Sequence, residues 1–345
     1  MPTRPQILVV FKKDAYRQYV REQQDARLIR LLRRGHPDVL EMRASQAIHE
    51  DSLEAAVTAL RGLPVDVDLA FRATLRVPRP RPGRGGRRRY DLVVSVGGDG
   101  TFLQAARSVG GTPILGVNSN PSRSEAVFCA ANRRTFPRLI RLALAGRLPV
   151  LQLFRLEVRL NGRPVGTPAV NDVLIAHEDP ATMSRYRLHI GSVEEFQKSS
   201  GLWIATAAGS SSAVLAAGGV RLSWASRRFQ YRPRELYRGR LSHHRLRGGV
   251  LGPGKTVRLT WLMRRGGAFI DGPHVRIPLR FADQIEIRPL YREPVRVLGK
   301  RKGPARAALG NSAAPRHSKG KSAPRRPQDG GRNMQAIRHA QDRNG

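Results

Sequence analysis

The chain has 345 residues and a formal net charge of +36, with a hydrophobic fraction of 40% that is ordinary for a globular protein. That length allows two domains with separate cores. No apolar run approaches bilayer thickness, so no membrane partner is expected. A single cysteine, Cys129, excludes an intrachain disulfide and suits a reducing compartment. The first residues, MPTRPQILVVF, run almost directly into a strand, so no secretory leader is expected and the expected location is the cytoplasm.

The charge is unevenly spread. Twelve Lys/Arg against two Asp lie from Lys300 to the end, and eight arginines lie between Arg72 and Arg89 among Pro and Gly. Neither block interleaves aromatics on which bases could stack. Both are expected to be solvated and flexible, with nucleic-acid contact through the basic tail as the alternative.

In chain order, ILVVF (7–11) reads as a first strand, followed by Lys12 and Lys13. Asp14 can cap a helix carrying Ala15, Tyr19, Leu28, Leu31 and Leu32, which Gly35 ends. Residues 52–61 read as a second helix and 65–71 as an alternating strand. DLVVSV, PILGV (113–117) and a helix over 136–145 complete an alternation that predicts a parallel, doubly wound α/β sheet. Composition shifts near Leu148. LQLFRLEVRL, the Asn161-Gly162 hairpin turn and a series of short strands predict a strand-rich stack of sheets. The expected organisation is an α/β domain over 1–148, a β-rich domain over 149–297, and a disordered basic tail over 298–345.

The densest signal is DLVVSVGGDGT (91–101). A buried strand runs into Gly97-Gly98-Asp99-Gly100-Thr101, and helix-compatible FLQAARSV follows. Strand ends in open α/β sheets are ligand sites, and a helix N-terminus there favours phosphate. Glycines let the main chain approach an anion closely. Asp99 would repel a bare phosphate, so it would either hold Mg²⁺ or take a proton from a hydroxyl. The plainer alternative is a helix cap. A second turn lies in KSSGLWIATAAGSSSAVLAAGG (198–219), where a strand enters Ala207–Ser212 and a helix of small residues follows. Small side chains there expose main chain and hydroxyl donors. His177 and His189 show no metal-ligand spacing with Cys129, and no zinc is assigned.

GGDGT with FLQAAR and TPILGVNSNP resembles the NAD kinase family. Asn171-Asp172, in AVNDVLIAH, matches the family's Asn-Glu/Asn-Asp dipeptide. Thr206-Ala207-Ala208-Gly209-Ser210-Ser211-Ser212-Ala213 stands where most members read Thr-Pro-Thr-Gly-Ser-Thr-Ala-Tyr. That departure, with GVNSNPSRSEAVFCA (116–130), KSSGLW and FQYRPREL, is similar to the mitochondrial and plant NADH-kinase-like branch. The resemblance covers roughly residues 5–297 and implies transfer of the ATP γ-phosphoryl group to the 2′-hydroxyl of the adenosine ribose of NAD⁺ or NADH.

By that resemblance Asp99 is the base, or a ligand organising Mg²⁺·ATP. The nucleotide site would comprise Gly97, Gly98, Gly100, Thr101, Asn118, Asn171, Asp172, Lys198, Thr206, Gly209, Ser210, Ser211, Ser212 and Asp271. Lys198 stands where many bacterial members carry Arg, and Asp271 belongs to a late Asp-Gly turn. A homo-oligomer, dimer or tetramer, is implied. The competing readings are a diacylglycerol- or sphingosine-type lipid kinase, whose Glu-Val-x-Asn-Gly pattern is absent, and a basic nucleic-acid-binding protein on a kinase-like fold.

Overall fold

Four parallel strands organise the first part of the chain: β1 (Gln6–Phe11), β2 (Asp66–Phe71), β3 (Leu92–Gly97) and β4 (Ile114–Asn118), in the order β4-β3-β1-β2. The computed structural model describes residues 4–75, 90–108, 110–240 and 243–301. Residues 76–89 of the arginine block, and all of the tail from 302 onward, lie outside the described residues. The inner strands are apolar on successive positions because both faces are covered. Ile7, Val9, Val94, Val96, Leu115 and Val117 face a core closed by Ala56, Leu60, Phe136 and Ile140. Leu8, Val10, Val93 and Ile114 face the opposite core, closed by Phe102, Leu103, Ala105 and Ala106. The covering helices are α2 (Pro37–Arg61) and α4 (Phe136–Leu144) on one side and α3 (Asp99–Ser108) on the other.

The N-terminal helix differs from expectation. One helix from Asp14 to Leu32 is replaced by a wide helical turn over Tyr16–Glu22 and a separate α1 (Ala26–Arg33). Gln24 takes a left-handed φ of 52°, and Asp25 caps α1 by accepting from the amides of Arg27 and Leu28. Asp14 still accepts from the Tyr16 amide, but its other oxygen takes Lys12 Nζ. Helix α2 starts 15 residues before the expected 52. Its buried face there carries Gln46 and His49, which erases the apolar periodicity.

The remainder is built of strands. These are β5 (Ala131–Asn132), β6 (Val150–Leu160), β7 (Arg163–Pro164), β8 (Asp172–Ala176), β9 (Ser184–Ile190), β10 (Val193–Ser199), β11 (Gly201–Ala205), β12 (Phe229–Arg234), β13 (Gly249–Leu251), β14 (Val257–Trp261), β15 (Gly266–Ile270), β16 (Arg276–Leu279) and β17 (Gln284–Leu298). Strands β13-β12-β11-β8-β15-β16 form a second sheet. Strands β10-β9-β14-β17 extend the first sheet beyond β4, with β6 alongside β17. The two sheets pack face to face. Leu156, Val158, Tyr186, Leu188, Leu259, Trp261 and Ile287 from one meet Val173, Ile175, Leu202, Ile204, Phe229 and Ile270 from the other. Strand β17 joins the two kinds of sheet: Val257 pairs antiparallel with Ile287, while Val297 pairs parallel with Ile114.

Candidate active site

Parallel register places Gly97 opposite Asn118, so the turns after β3 and β4 open on one carboxyl edge. Helix α3 begins at Asp99 itself, within the glycine turn, so its carboxylate stands in the first helical turn. The Thr101 side chain folds back onto Gly97, at a φ of 159°, and occupies the space a Cβ would need. Gly98 lies against Ser124 Oγ, 3.2 Å from where its own Cβ would stand.

Asp99 is half-buried. Its Oδ2 accepts from the Val127 amide at 3.0 Å and its Oδ1 from the Phe128 amide at 2.9 Å. Burial pushes its pKa up, while those two amides and the nearby Lys300 pull it back. Asn118 is an internal brace: its amide donates to the Ser124 carbonyl at 2.7 Å and its Oδ1 accepts from the Asn120 amide at 3.0 Å.

A second cluster forms at one end of the second sheet. Ala205 pairs with Asp172 and Ile270 with Val173, so the start of antiparallel β8 meets the ends of β11 and β15. This brings Asn171, Asp172, Thr206 and Asp271 together. Asp271 holds a left-handed φ of 50° and accepts from the amides of Val170, Asn171 and Asp172. Thr206 Oγ1 donates to the Val170 carbonyl at 2.7 Å and accepts from the Gly209 amide at 3.1 Å. Gly209 is seated against the Asn171 carbonyl, with no room for a Cβ. Ser210 Oγ donates to the Ala207 carbonyl and accepts from the Leu222 amide.

Burial, then Asp271, pushes the Asp172 pKa up to about 7. Burial likewise raises Asp271, against the pull of the Val170 and Asn171 amides and of Arg107. The Asn171 amide donates to Asp172 Oδ2 at 2.9 Å and reaches exposed Ser212 Oγ at 3.4 Å. Ser211 is half-buried on the short helical turn Ala208–Ser211.

The two clusters share a wall. Phe102 of α3 stacks on Phe128 at 5.0 Å, and Phe128 on Trp224 at 4.9 Å. Val170 and Ala208 belong to the same core. Arg107 Nη1, also from α3, donates to the Ile270 carbonyl beside Asp271 at 2.9 Å. Lys198 is not brought to this wall. It lies on β10, the outermost strand of the first sheet, with its ammonium 6.0 Å from the Tyr237 ring centroid. Its strand alternation gave no sign that β9 and β10 would pair outward.

Two cations were missed. Composition assigns Lys300 to the tail, yet it is half-buried just past β17, where its charge acts on Asp99 and Cys129. Arg72 belongs to the arginine block, yet its Nη1 donates to Thr101 Oγ1 at 3.3 Å. Neither had a motif to reveal it. Among the described residues no group of three or more His, Cys, Asp or Glu could hold a metal ion.

The described fold is similar to those of solved NAD and NADH kinases. A yeast NADH kinase complexed with NADH superimposes with a TM-score of 0.63 at 17% identity, covering 92% of this chain and 91% of that one. An NAD kinase from Archaeoglobus fulgidus in complex with ATP gives 0.56 at 19% identity, covering 84% and 92%. These likenesses define the fold class, an α/β sheet joined to a β stack. The family model of the ATP-NAD kinase N-terminal domain matches residues 85–132. An NADH kinase of Arabidopsis thaliana is 31% identical over 277 residues, 73% of this chain and 84% of that protein. A probable NADH kinase of Oryza sativa subsp. japonica is 35% identical over 219 residues, 57% of this chain and 67% of that protein. The chain belongs to the NAD kinase family.

Proposed function

We propose that this kinase transfers the γ-phosphoryl group of ATP to the 2′-hydroxyl of the adenosine ribose of NAD⁺ or NADH. The observation that carries the reading is Asp99, half-buried in the first turn of α3, with both carboxylate oxygens oriented by main-chain amides. A ribose hydroxyl is a poor nucleophile at neutral pH, and a desolvated carboxylate is a stronger base than one in water. Asp99 takes the hydroxyl proton as the new P–O bond forms. The bond from the γ-phosphorus to the bridging oxygen breaks, and ADP leaves with that oxygen. Main-chain amides at the head of α3 stabilise the charge on the phosphates.

Mg²⁺, which usually takes one or two carboxylates and the substrate's phosphates, would come with ATP and neutralise those phosphates, with Asp99 the alternative protein ligand. In this reading Asn171, Asp172, Ser211 and Ser212 take the dinucleotide. Thr206, Ser210, Gly209 and Asp271 shape the turn that presents them. We further propose a homo-oligomeric protein acting in the cytoplasm, organised as an α/β domain over 1–148 and a β-rich domain over 149–297.

The test is NADP(H) formation by the purified chain with Mg²⁺, ATP and either NAD⁺ or NADH, read through an NADP-specific dehydrogenase. Turnover with either acceptor is expected, and their ratio assigns the preference. A folded protein inactive with both acceptors and with other phosphoryl donors, yet active on a lipid, would overturn the reading.

A further inference from the structure

Arg72 opens the arginine block but does not behave as a solvated residue. It begins a short 3₁₀ turn, Arg72–Thr74, directly after β2 at the carboxyl edge of the parallel sheet. It is half-buried, and its Nη1 donates to Thr101 Oγ1 at 3.3 Å. The same nitrogen lies 3.4 Å from the position a Cβ would take on Gly100. The guanidinium therefore lies across the second half of the GGDGT turn, beside the first turn of α3. Arg107 stands behind it on α3, buried, with Nη1 on the Ile270 carbonyl.

Among the described residues, the charges of this corner lean positive. Burial, and then Arg107, lower the pKa of Arg72. Burial, followed by Arg72 and Arg107, lowers that of exposed His274 as well. Asp271 faces Arg107, but it already accepts three main-chain amides. Among the described residues, two guanidiniums and the head of a helix thus converge, with Asp271 answering Arg107 and the Asp99 carboxylate turned to the Val127 and Phe128 amides. An anion with several oxygens would restore the balance. The bond to Thr101 uses one of five N–H donors on a planar fork that matches phosphate oxygens.

We propose that Arg72 grips the phosphoryl group in transfer: the terminal phosphate of the triphosphate donor before reaction and the 2′-phosphate of the product after it. This rests on the kinase reading above and adds a catalytic residue to it. Arg72 keeps its protons throughout and acts by electrostatic stabilisation. Arg107 supplies a fixed charge behind it and touches no substrate.

The experiment compares wild type with Arg72→Gln in the full chain, measuring turnover and the separate affinities for Mg²⁺·ATP and Mg²⁺·ADP. Arg72→Gln is expected to lower kcat by about 10²–10³-fold. Its affinity for ADP should stay within about twofold while the preference for ATP over ADP falls by roughly tenfold or more, as expected for one lost charged contact. An unchanged kcat with an unchanged ATP:ADP ratio would overturn the proposal. So would equal loss of ATP and ADP affinity, which would make Arg72 a brace for Thr101. Should Arg72→Gln prove unfolded by circular dichroism, Arg72→Lys is read the same way, since it keeps the charge but loses the fork. The binding arm is independent of turnover, so a wild type that makes no NADP(H) would sink the kinase reading while this contact is still decided.

Discussion

The glycine turn after β3 and the small-residue turn after β11 look alike in sequence, but the structure uses them differently. At the first, Asp99 is held by two amides donated from another loop, and the glycines admit the Thr101, Ser124 and Arg72 side chains close against the turn. At the second, most polar side chains are committed inward. Thr206 and Ser210 bond to main chain, and Asp271 accepts the amides of Val170, Asn171 and Asp172. In the proposed reading the first turn acts on the ligand through Asp99, while most polar side chains of the second hold its shape and leave Asn171, Ser211 and Ser212 to face the dinucleotide. A hydroxyl or carboxylate in a family motif can therefore be a scaffold part even where the motif lines a site.

That contrast can be broken by substitution. Asp99→Asn should leave the fold and nucleotide binding in place, because its amide oxygen still accepts one main-chain bond. Turnover should fall by about 10²–10⁴-fold, the usual range for a lost general base. Steady-state rates checked beside ATP affinity decide it, and near-wild-type turnover would remove Asp99 from the chemistry. Asp271→Ala should do the reverse. It leaves three buried amides without an acceptor and strips Arg107 of its carboxylate, at a cost of about 3–5 kcal/mol in unfolding free energy. A denaturant midpoint close to wild type would show that this turn is not held as described.

Asp172 sharpens the comparison through pH. Its folded pKa of about 7 lies above the ordinary carboxylate value, so between them the native chain holds a proton that the unfolded chain has lost. Stability should therefore fall as pH rises from about 4 to 7 and level off beyond. Asp271, also raised, adds to the same slope. Asp172→Asn should flatten that slope, measured as unfolding midpoint against pH; an unchanged slope would refute the assignment. Ser212→Ala should have the smallest effect. It is exposed, so stability should shift by less than about 0.5 kcal/mol, while the dinucleotide KM rises a few-fold and kcat is kept. A shift of a full kcal/mol in stability with no change in KM would make Ser212 scaffold like Ser210.

The alternation of buried strands with helices, the GGDGT turn and the strand-rich second half were all legible, because each rests on local periodicity or on glycine geometry. Helix α2 was half-seen, since Gln46 and His49 take places on its buried face that an apolar pattern would have filled. Arg72 and Lys300 were misread for a different reason. Composition averages over a segment, whereas Arg72 and Lys300 follow closely on strands β2 and β17, which bring them to Thr101 and Asp99.

Sequence alone determined the α/β alternation, the stack of strands and the turn that carries Asp99, since these follow from residues near one another in the chain. Which residues meet was decided only by tertiary structure. The antiparallel register of β8 with β11 and β15 assembles Asn171, Thr206 and Asp271 from three separate segments. The return of β17 beside β4 brings Lys300 toward Asp99, and β10 carries Lys198 to the sheet's outer edge. The placements of Asn171, Thr206, Asp271 and Lys300 depend on strand pairings between segments far apart in the chain, from Ala205 with Asp172 to Val297 with Ile114, and local sequence pattern carries no record of them.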